Sequence, residues 1–230
     1  MSAEARLPAP ASWSAGMTSE NDRLAGFDVS RESRARLEAF VDLLLKWQQR
    51  INLIGPSTVD DVWQRHIADA LQLVPLIKPH VKRILDLGSG AGIPGLVIGI
   101  VLMERAPVTV HLVESTGKKA AFLRQAVLLT GATAVVHDCR IEEFATEFRA
   151  GPSESIDLVT ARALAPLPKL LQLALPWLEA GATGLFHKGE EIDRELTESA
   201  KYWRLTCVRH PSIVDPNGCI LEVNDIEHAI

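Results

Sequence analysis

The residues best placed to do chemistry lie in one short stretch. Ile84-Leu85-Asp86-Leu87 runs into Gly88-Ser89-Gly90-Ala91-Gly92-Ile93-Pro94-Gly95. A short apolar run that stops at glycines and then becomes helical reads as strand, tight turn, helix. The glycines permit backbone angles that other residues resist and let a ligand approach the main chain. The helix start adds unpaired N–H groups. The spacing is GxGxG rather than the GxGxxG of dinucleotide sites. Asp86 sits two residues before the first glycine, where a pyrophosphate would be repelled and an ammonium or sulfonium group favoured. Glu114 ends the next apolar run, 22 residues past Gly92, where a carboxylate accepts both hydroxyl protons of a ribose. One acid for an amino group and one for a ribose describes S-adenosylmethionine.

A methyl donor needs an acceptor. The run Val159-Thr160-Ala161-Arg162-Ala163-Leu164-Ala165-Pro166 lacks the Asp/Asn-Pro-Pro-aromatic turn of adenine amino methylases. The three cysteines follow Asp138, Thr206 and Gly218, not proline as in carbon-5 pyrimidine methylases. Acceptors with a free lone pair, a ring nitrogen or an oxygen, remain.

The elements that must hold these groups read as follows. Ser30 is a candidate N-cap for a helix whose stripe is Leu37, Phe40, Val41, Leu44, Trp47 and Ile51, closed by Gly55-Pro56. Ser57 and Asp60 form a candidate capping box for a second helix running to Val74. After Arg83 short apolar runs alternate with helical stretches. Strands are expected at 84–87, 108–113, 134–136, 156–160 and 183–187, and helices at 93–103, 117–129, 166–178 and 189–200. The segments 205–209 and 219–223, around Asp215-Pro216-Asn217-Gly218, read as a hairpin at the sheet edge. This predicts a doubly wound α/β sheet, Rossmann-like, mostly parallel, with seven strands. The expected organisation is a loose tail over residues 1–26, a helical extension over 27–80 and a catalytic domain over 81–230. Met17 is a second candidate start.

Composition sets the outer limits. The 230 residues are 47% hydrophobic and 23% charged, as in a packed globular chain. No run is long enough to span a membrane. Three widely spaced cysteines argue against a disulfide framework or structural zinc. A cytoplasmic, metal-free monomer is expected. The net charge of −5 excludes bulk coating of nucleic acid but not a local basic face.

The chain resembles the bacterial 16S ribosomal RNA (guanine-N7)-methyltransferase family, also called glucose-inhibited division protein B. The likeness spans about residues 44–189. It rests on Trp47-x4-Asn52-Leu53, Arg65-His66-Ile67-x-Asp69-x-Leu71, the loop from Asp86 to Gly95, and Lys118-Lys119-x2-Phe122-Leu123-Arg124. Arg140-Ile141-Glu142-Glu143-Phe144, Ala161-Arg162-Ala163 and Lys188-Gly189 complete it. The resemblance implies the class I S-adenosylmethionine-dependent methyltransferase fold and transfer of methyl to guanine N7 in 16S RNA of the small subunit. It implies cofactor contacts at Gly88, Ile93, Ile141, Glu142 and Arg162, with Ile141 and Glu142 beside the adenine; Asp86, Gly90 and Glu114 join them from the loop argument. Guanine N7 has no proton to lose, so no catalytic base is expected. Lys118, Arg124, Arg140, Arg162 and Lys188 follow successive strands at one sheet edge and are the expected RNA contacts, with Lys119 and the arginines 31, 34, 36, 50 and 65 adding charge. His66 and Asp69, three apart, are expected to tie the extension to the sheet by hydrogen bonds. Rival functions are a methylase of another RNA, of a protein or of a small molecule, a non-catalytic ribosome assembly factor and, more distantly, an NAD-dependent oxidoreductase.

Overall fold

The computed structural model describes residues 24, 26–105, 107–148 and 155–229. The expected loose tail lies outside them except at its end, where Leu24 is buried in the core.

Helix α1, Arg31–Gln48, starts at Ser30, whose hydroxyl accepts the Ser33 N–H at 2.9 Å. Its stripe of Leu37, Phe40, Val41 and Leu44 is buried against the sheet's helices, with the Phe40 and Phe122 rings 6.2 Å apart. The helix ends at Gln48 rather than at Gly55-Pro56. The Gln48 amide imitates a backbone pair there. It accepts from the N–H groups of Leu53 and Ile54 at 2.8 and 3.0 Å and donates to the Ile54 carbonyl at 2.9 Å. That turns the chain early.

The expected capping box at Ser57 and Asp60 does not form. Pro56–Thr58 make a 3₁₀ turn instead, and the Thr58 hydroxyl donates to the Gly55 carbonyl. The chain then widens into a π-helical turn, Trp63–Ala68, that runs into α2, Asp69–Leu71. Such turns concentrate at functional sites.

Strands β1 (Arg83–Leu87), β2 (Thr109–Val113), β3 (Ala134–His137), β4 (Leu158–Arg162) and β5 (Thr183–Lys188) are parallel. β6 (Trp203–Pro211) and β7 (Cys219–His228) form the antiparallel hairpin. The sheet order is β3-β2-β1-β4-β5-β7-β6. The expected doubly wound, seven-stranded sheet with an antiparallel edge is therefore present. β4 starts two residues later than expected. The Asp157 carboxylate accepts the N–H groups of Lys82 and Arg83, at 2.8 and 2.9 Å, and so pins the strand's entry to the start of β1.

The crossovers are α3 (Gly95–Leu102), α4 (Gly117–Thr130), α5 (Ile141–Glu147), α6 (Leu167–Leu178) and α7 (Ile192–Ser199). α5 was not anticipated because seven residues carry little periodicity. Its signal was Glu143, whose carboxylate reaches back to the Arg140 N–H at 3.0 Å. α3 is buried at every position, so it has no polar face for a pattern to reveal. α1 and the π-turn share one apolar core with α3, α4 and one face of the sheet.

Gly95 opens α3 where a methyl group would lie 2.6–2.7 Å from the Asp86 side chain. Gly95→Ala is expected to destabilise the fold by about 1–3 kcal/mol through overpacking. Denaturant midpoints of the two proteins check this; equal midpoints would show that the loop yields freely.

Candidate functional site

The glycine loop leaves β1 through three left-handed residues, Gly88, Gly90 and Gly92, at φ +65°, +54° and +77°. A side chain at these angles is strained. Gly88 is also hemmed in: an added Cβ would lie 2.6 Å from Leu164. The loop is stapled to β2 by Ser89 N–H donating to the Val113 carbonyl at 3.0 Å. Ile93 is buried beneath it.

The two acids of the loop do different things. Glu114 braces it: one oxygen accepts the Gly90 N–H at 2.9 Å, and the other accepts the Thr116 N–H at 2.7 Å. Each carboxylate oxygen keeps a second lone pair for a ligand hydroxyl. Asp86 is not open to the crevice as its spacing suggested. It is 1% exposed, and Oδ1 accepts the Thr160 hydroxyl at 2.7 Å. Burial raises its pKa to about 6, opposed by hydrogen bonds from Thr160, Ser89 and, more weakly, the Gly95 backbone. Oδ2 has no partner among the described residues and lies against the N-terminal residue of α3. A buried acceptor without a donor, beside a loop that offers bare backbone, fits a cationic ligand group.

Arg162 ends β4 and is committed on three sides. Nε pairs with Asp69 Oδ2 at 3.0 Å, one terminal nitrogen donates to His66 Nδ1 at 2.9 Å, and the other donates to the Arg65 carbonyl at 2.8 Å. A guanidinium only donates, so His66 Nδ1 must accept. Its Nε2–H then faces the Thr58 hydroxyl at 2.7 Å, which donates onward to Gly55. Burial first, then the charges of Arg162 and Arg65, lower the His66 pKa to about 4. His66 and Asp69 thus tie the N-terminal segment to the sheet, as their spacing suggested. The next residue, Ala163, has φ +50°, which turns the chain sharply after the strand.

Of the expected RNA contacts, Lys118 is exposed on the first turn of α4 and the neighbouring Lys119 is half-buried. Arg124 pairs with Asp138 at 3.4 Å, and Arg140 with Glu142 at 3.7 Å, all on the surface. Ile141 and Glu142 open α5 beyond β3, Ile141 half-buried and Glu142 exposed. Lys188, also expected to contact RNA, is tied to its own fold. It is 7% exposed, pairs with Glu195 at 2.5 Å and donates to the Ala165 carbonyl. Glu195 also accepts the Leu167 N–H, so this pair fixes the start of α6.

Sequence reasoning missed Gln72. Its amide donates to Asp69 at 2.6 Å and accepts the Ile213 N–H at 3.0 Å, joining the N-terminal segment to the β6–β7 turn. No motif marks a lone glutamine. The residues it joins belong to the surroundings of a cavity of about 250 Å³ formed by the ends of β4 and β5, the β6–β7 turn, and Arg65 and Asp69. Leu164 both lines this cavity and touches Gly88, so the cavity adjoins the glycine loop.

The sheet order, the antiparallel last strand and the glycine loop after β1 define the class I methyltransferase fold. Solved structures of that fold superpose on the chain. The O-methyltransferase from Bacillus cereus in complex with SAH has a TM-score of 0.57 at 14% identity, covering 83% of this chain and 91% of that one. TomG from Streptomyces achromogenes, in complex with SAM, has a TM-score of 0.55 at 11% identity, covering 87% and 92%. The chain belongs to the rRNA small subunit methyltransferase G family, which matches residues 33–218. It is 49% identical over 198 residues to the Ribosomal RNA small subunit methyltransferase G of Paramagnetospirillum magneticum, covering 86% of this chain and 91% of that one. The protein of the same name from Rhodospirillum rubrum is 46% identical over 205 residues, covering 89% and 96%.

Arg162→Ala leaves Asp69 part-buried without its partner and is expected to cost about 3 kcal/mol, with Arg162→Lys recovering little because lysine lacks the fork. Equilibrium unfolding measures both; full recovery by lysine would show that charge alone matters. His66 stabilises the fold only when neutral. Its contribution is complete above its ordinary pKa of 6.5 and is lost as pH falls toward about 4. Asp86 runs the other way, losing stability as pH rises from 3.8 through about 6. His66→Gln is therefore expected to flatten the acid-side fall relative to the parent, read as melting temperature against pH.

Proposed function

We propose that the chain transfers a methyl group from S-adenosylmethionine to N7 of a guanine in 16S RNA of the small ribosomal subunit. Family membership supports the small-subunit RNA as substrate class. The observation that carries the chemistry is the loop: three left-handed glycines held by Glu114, with the unpartnered Asp86 Oδ2 beneath.

In this reading Gly88, Gly90, Ile93, Ile141, Glu142, Asp86 and Glu114 form the cofactor site. Glu114 takes the ribose hydroxyls on the lone pairs the loop leaves free. Asp86 supplies negative potential under the loop. Ile141 and Glu142 flank the adenine. When bound, the cofactor supplies a sulfonium methyl; the N7 lone pair forms the new C–N bond as the C–S bond breaks, leaving a thioether and a cationic purine. The residues of the chain need remove no proton in that step. Their work is alignment, worth about 7–11 kcal/mol of the barrier when both reactants are held in line. Leu164, which touches Gly88 and lines the cavity, lies where the cofactor loop and the cavity meet.

Arg65, Lys118, Lys119, Arg124 and Arg140 contribute the RNA face. Arg162 and Lys188 act differently from that set. Their charges are neutralised by Asp69 and Glu195, so they shape the crevice rather than bind phosphates.

The deciding experiment maps N7-methylguanosine in small-subunit RNA from cells with and without this chain. One guanine is expected to lose the mark in the deletion and regain it when purified protein and S-adenosylmethionine are added. Label appearing at a base amino group, a ribose or a protein would overturn the N7 assignment. Lys118→Ala is expected to weaken RNA binding several-fold and to reduce its salt slope by about one, without changing cofactor affinity.

A further inference from the structure

The cavity beside the glycine loop contains two carboxylates, Asp69 and Asp215. Asp69 is spent. Its Oδ1 accepts from Gln72 at 2.6 Å, its Oδ2 pairs with Arg162 at 3.0 Å, and its carbonyl accepts from His187 at 2.8 Å. Asp215 is not. Its Oδ1 accepts the Asn217 N–H at 3.1 Å, and no described residue pairs with Oδ2. The turn that carries Asp215 is fixed from several directions. Ser212 Oγ accepts the N–H groups of Val214 and Asp215 at 3.2 and 3.1 Å, Gly218 N–H donates to the Asp215 carbonyl at 2.9 Å, and Gln72 holds Ile213. Among the described residues no cation that lines the cavity forms an ion pair with Asp215: Arg162 belongs to Asp69, Lys188 to Glu195, and Arg65 is exposed without pairing to it. The structure therefore offers a carboxylate held by its turn and half-satisfied among the described residues, in the lining of a cavity that the end of β4 also lines.

We propose that this cavity receives the acceptor base and that Asp215 reads the N1–H and N2–H₂ edge of guanine. The inference rests on the guanine-N7 reading above and names the residue that makes it selective. Guanine presents two adjacent donors on that edge, which one carboxylate accepts together; adenine presents an acceptor at N1 and would be repelled. With that edge against Asp215, N7 is on the opposite side of the base, free for the methyl donor. The same contact favours the transition state. Methylation at N7 moves positive charge onto the purine and makes N1–H a stronger donor, so the Asp215 bond tightens as the reaction proceeds. No proton is transferred to Asp215 in this step. Its role is selection and charge stabilisation.

The test is a double-mutant cycle on the full-length protein, using small subunits reconstituted with guanine or inosine at the mapped position. Inosine lacks only the N2 amine. The wild type is expected to methylate the inosine subunit about 10- to 100-fold more slowly. Asp215→Asn keeps an oxygen for Asn217 but removes the anion. It is expected to lower kcat for guanine by a similar factor with a smaller change in KM, and to methylate guanine and inosine at nearly equal rates. Asp215→Ser, which also keeps a turn acceptor, provides the same comparison should the asparagine variant fold poorly. Asp215→Glu is expected to recover part of the guanine rate. Unchanged S-adenosylhomocysteine affinity and melting temperature separate these effects from damage to the fold. Additive losses from the base change and the residue change, or wild-type guanine rates in both variants, would overturn the assignment of Asp215. If the wild type marks no guanine N7 at all, the function reading itself fails first, and mapping the methyl group distinguishes that outcome.

Discussion

The guanidinium of Arg162 is the joint on which the site depends. It sits where β4 ends, and its three bonds reach only residues of the N-terminal segment: Asp69, His66 and the Arg65 carbonyl. With the shared apolar core and the His187 bond to the Asp69 carbonyl, that joint fixes the π-turn relative to the sheet. The cavity wall depends on it in sequence. Arg162 orients Asp69, Asp69 orients Gln72, and Gln72 holds the β6–β7 turn. Each link is a part-buried polar group satisfied by the next, which makes the arrangement specific and intolerant of half-removal. The widened Trp63–Ala68 turn is what brings the Arg65 carbonyl and the His66 ring to the same guanidinium.

Carboxylates do most of the remaining positioning, largely by accepting backbone N–H groups. Glu114 sets the glycine loop, Asp157 aligns the starts of β1 and β4, Glu143 starts α5 and Glu195 starts α6. Such bonds are stronger than neutral ones and fix loops that lack a ladder of their own. Several acids are turned inward onto the main chain, while Arg65 and Lys118 remain exposed near the carboxyl edge of the sheet. The overall charge therefore says little about the field an RNA would meet there.

Much of this was legible in the residues. The strand–glycine–helix unit, the parallel order and the edge hairpin follow from short apolar runs and turn residues, which are local signals with a fixed period. The Ser30 cap was legible for the same reason. The 16S methyltransferase likeness was readable because its motifs are contiguous, and the family match over residues 33–218 agrees with it. The failures were of another kind. Ser57 and Asp60 have the right spacing for a cap, yet the Pro56 turn and the pull of Arg162 on His66 reshape that segment. The Lys188–Glu195 pair was not legible because Glu195 is on a different element, and Gln72 gave no signal because glutamine has no motif.

The sequence alone determined the periods, the turns and the order of elements, since those depend on neighbours within a few residues. It also set which charged groups are available. Only the tertiary structure decided which charges remain free. Arg162 and Lys188 lose theirs to acids brought from other elements, Asp86 is sealed beneath the loop, and Asp215 keeps one oxygen without a partner among the described residues. The physical reason is that pairing and desolvation depend on distances across the fold. Residues 93 positions apart in the chain, as Asp69 and Arg162 are, approach to 3.0 Å only when the sheet has formed.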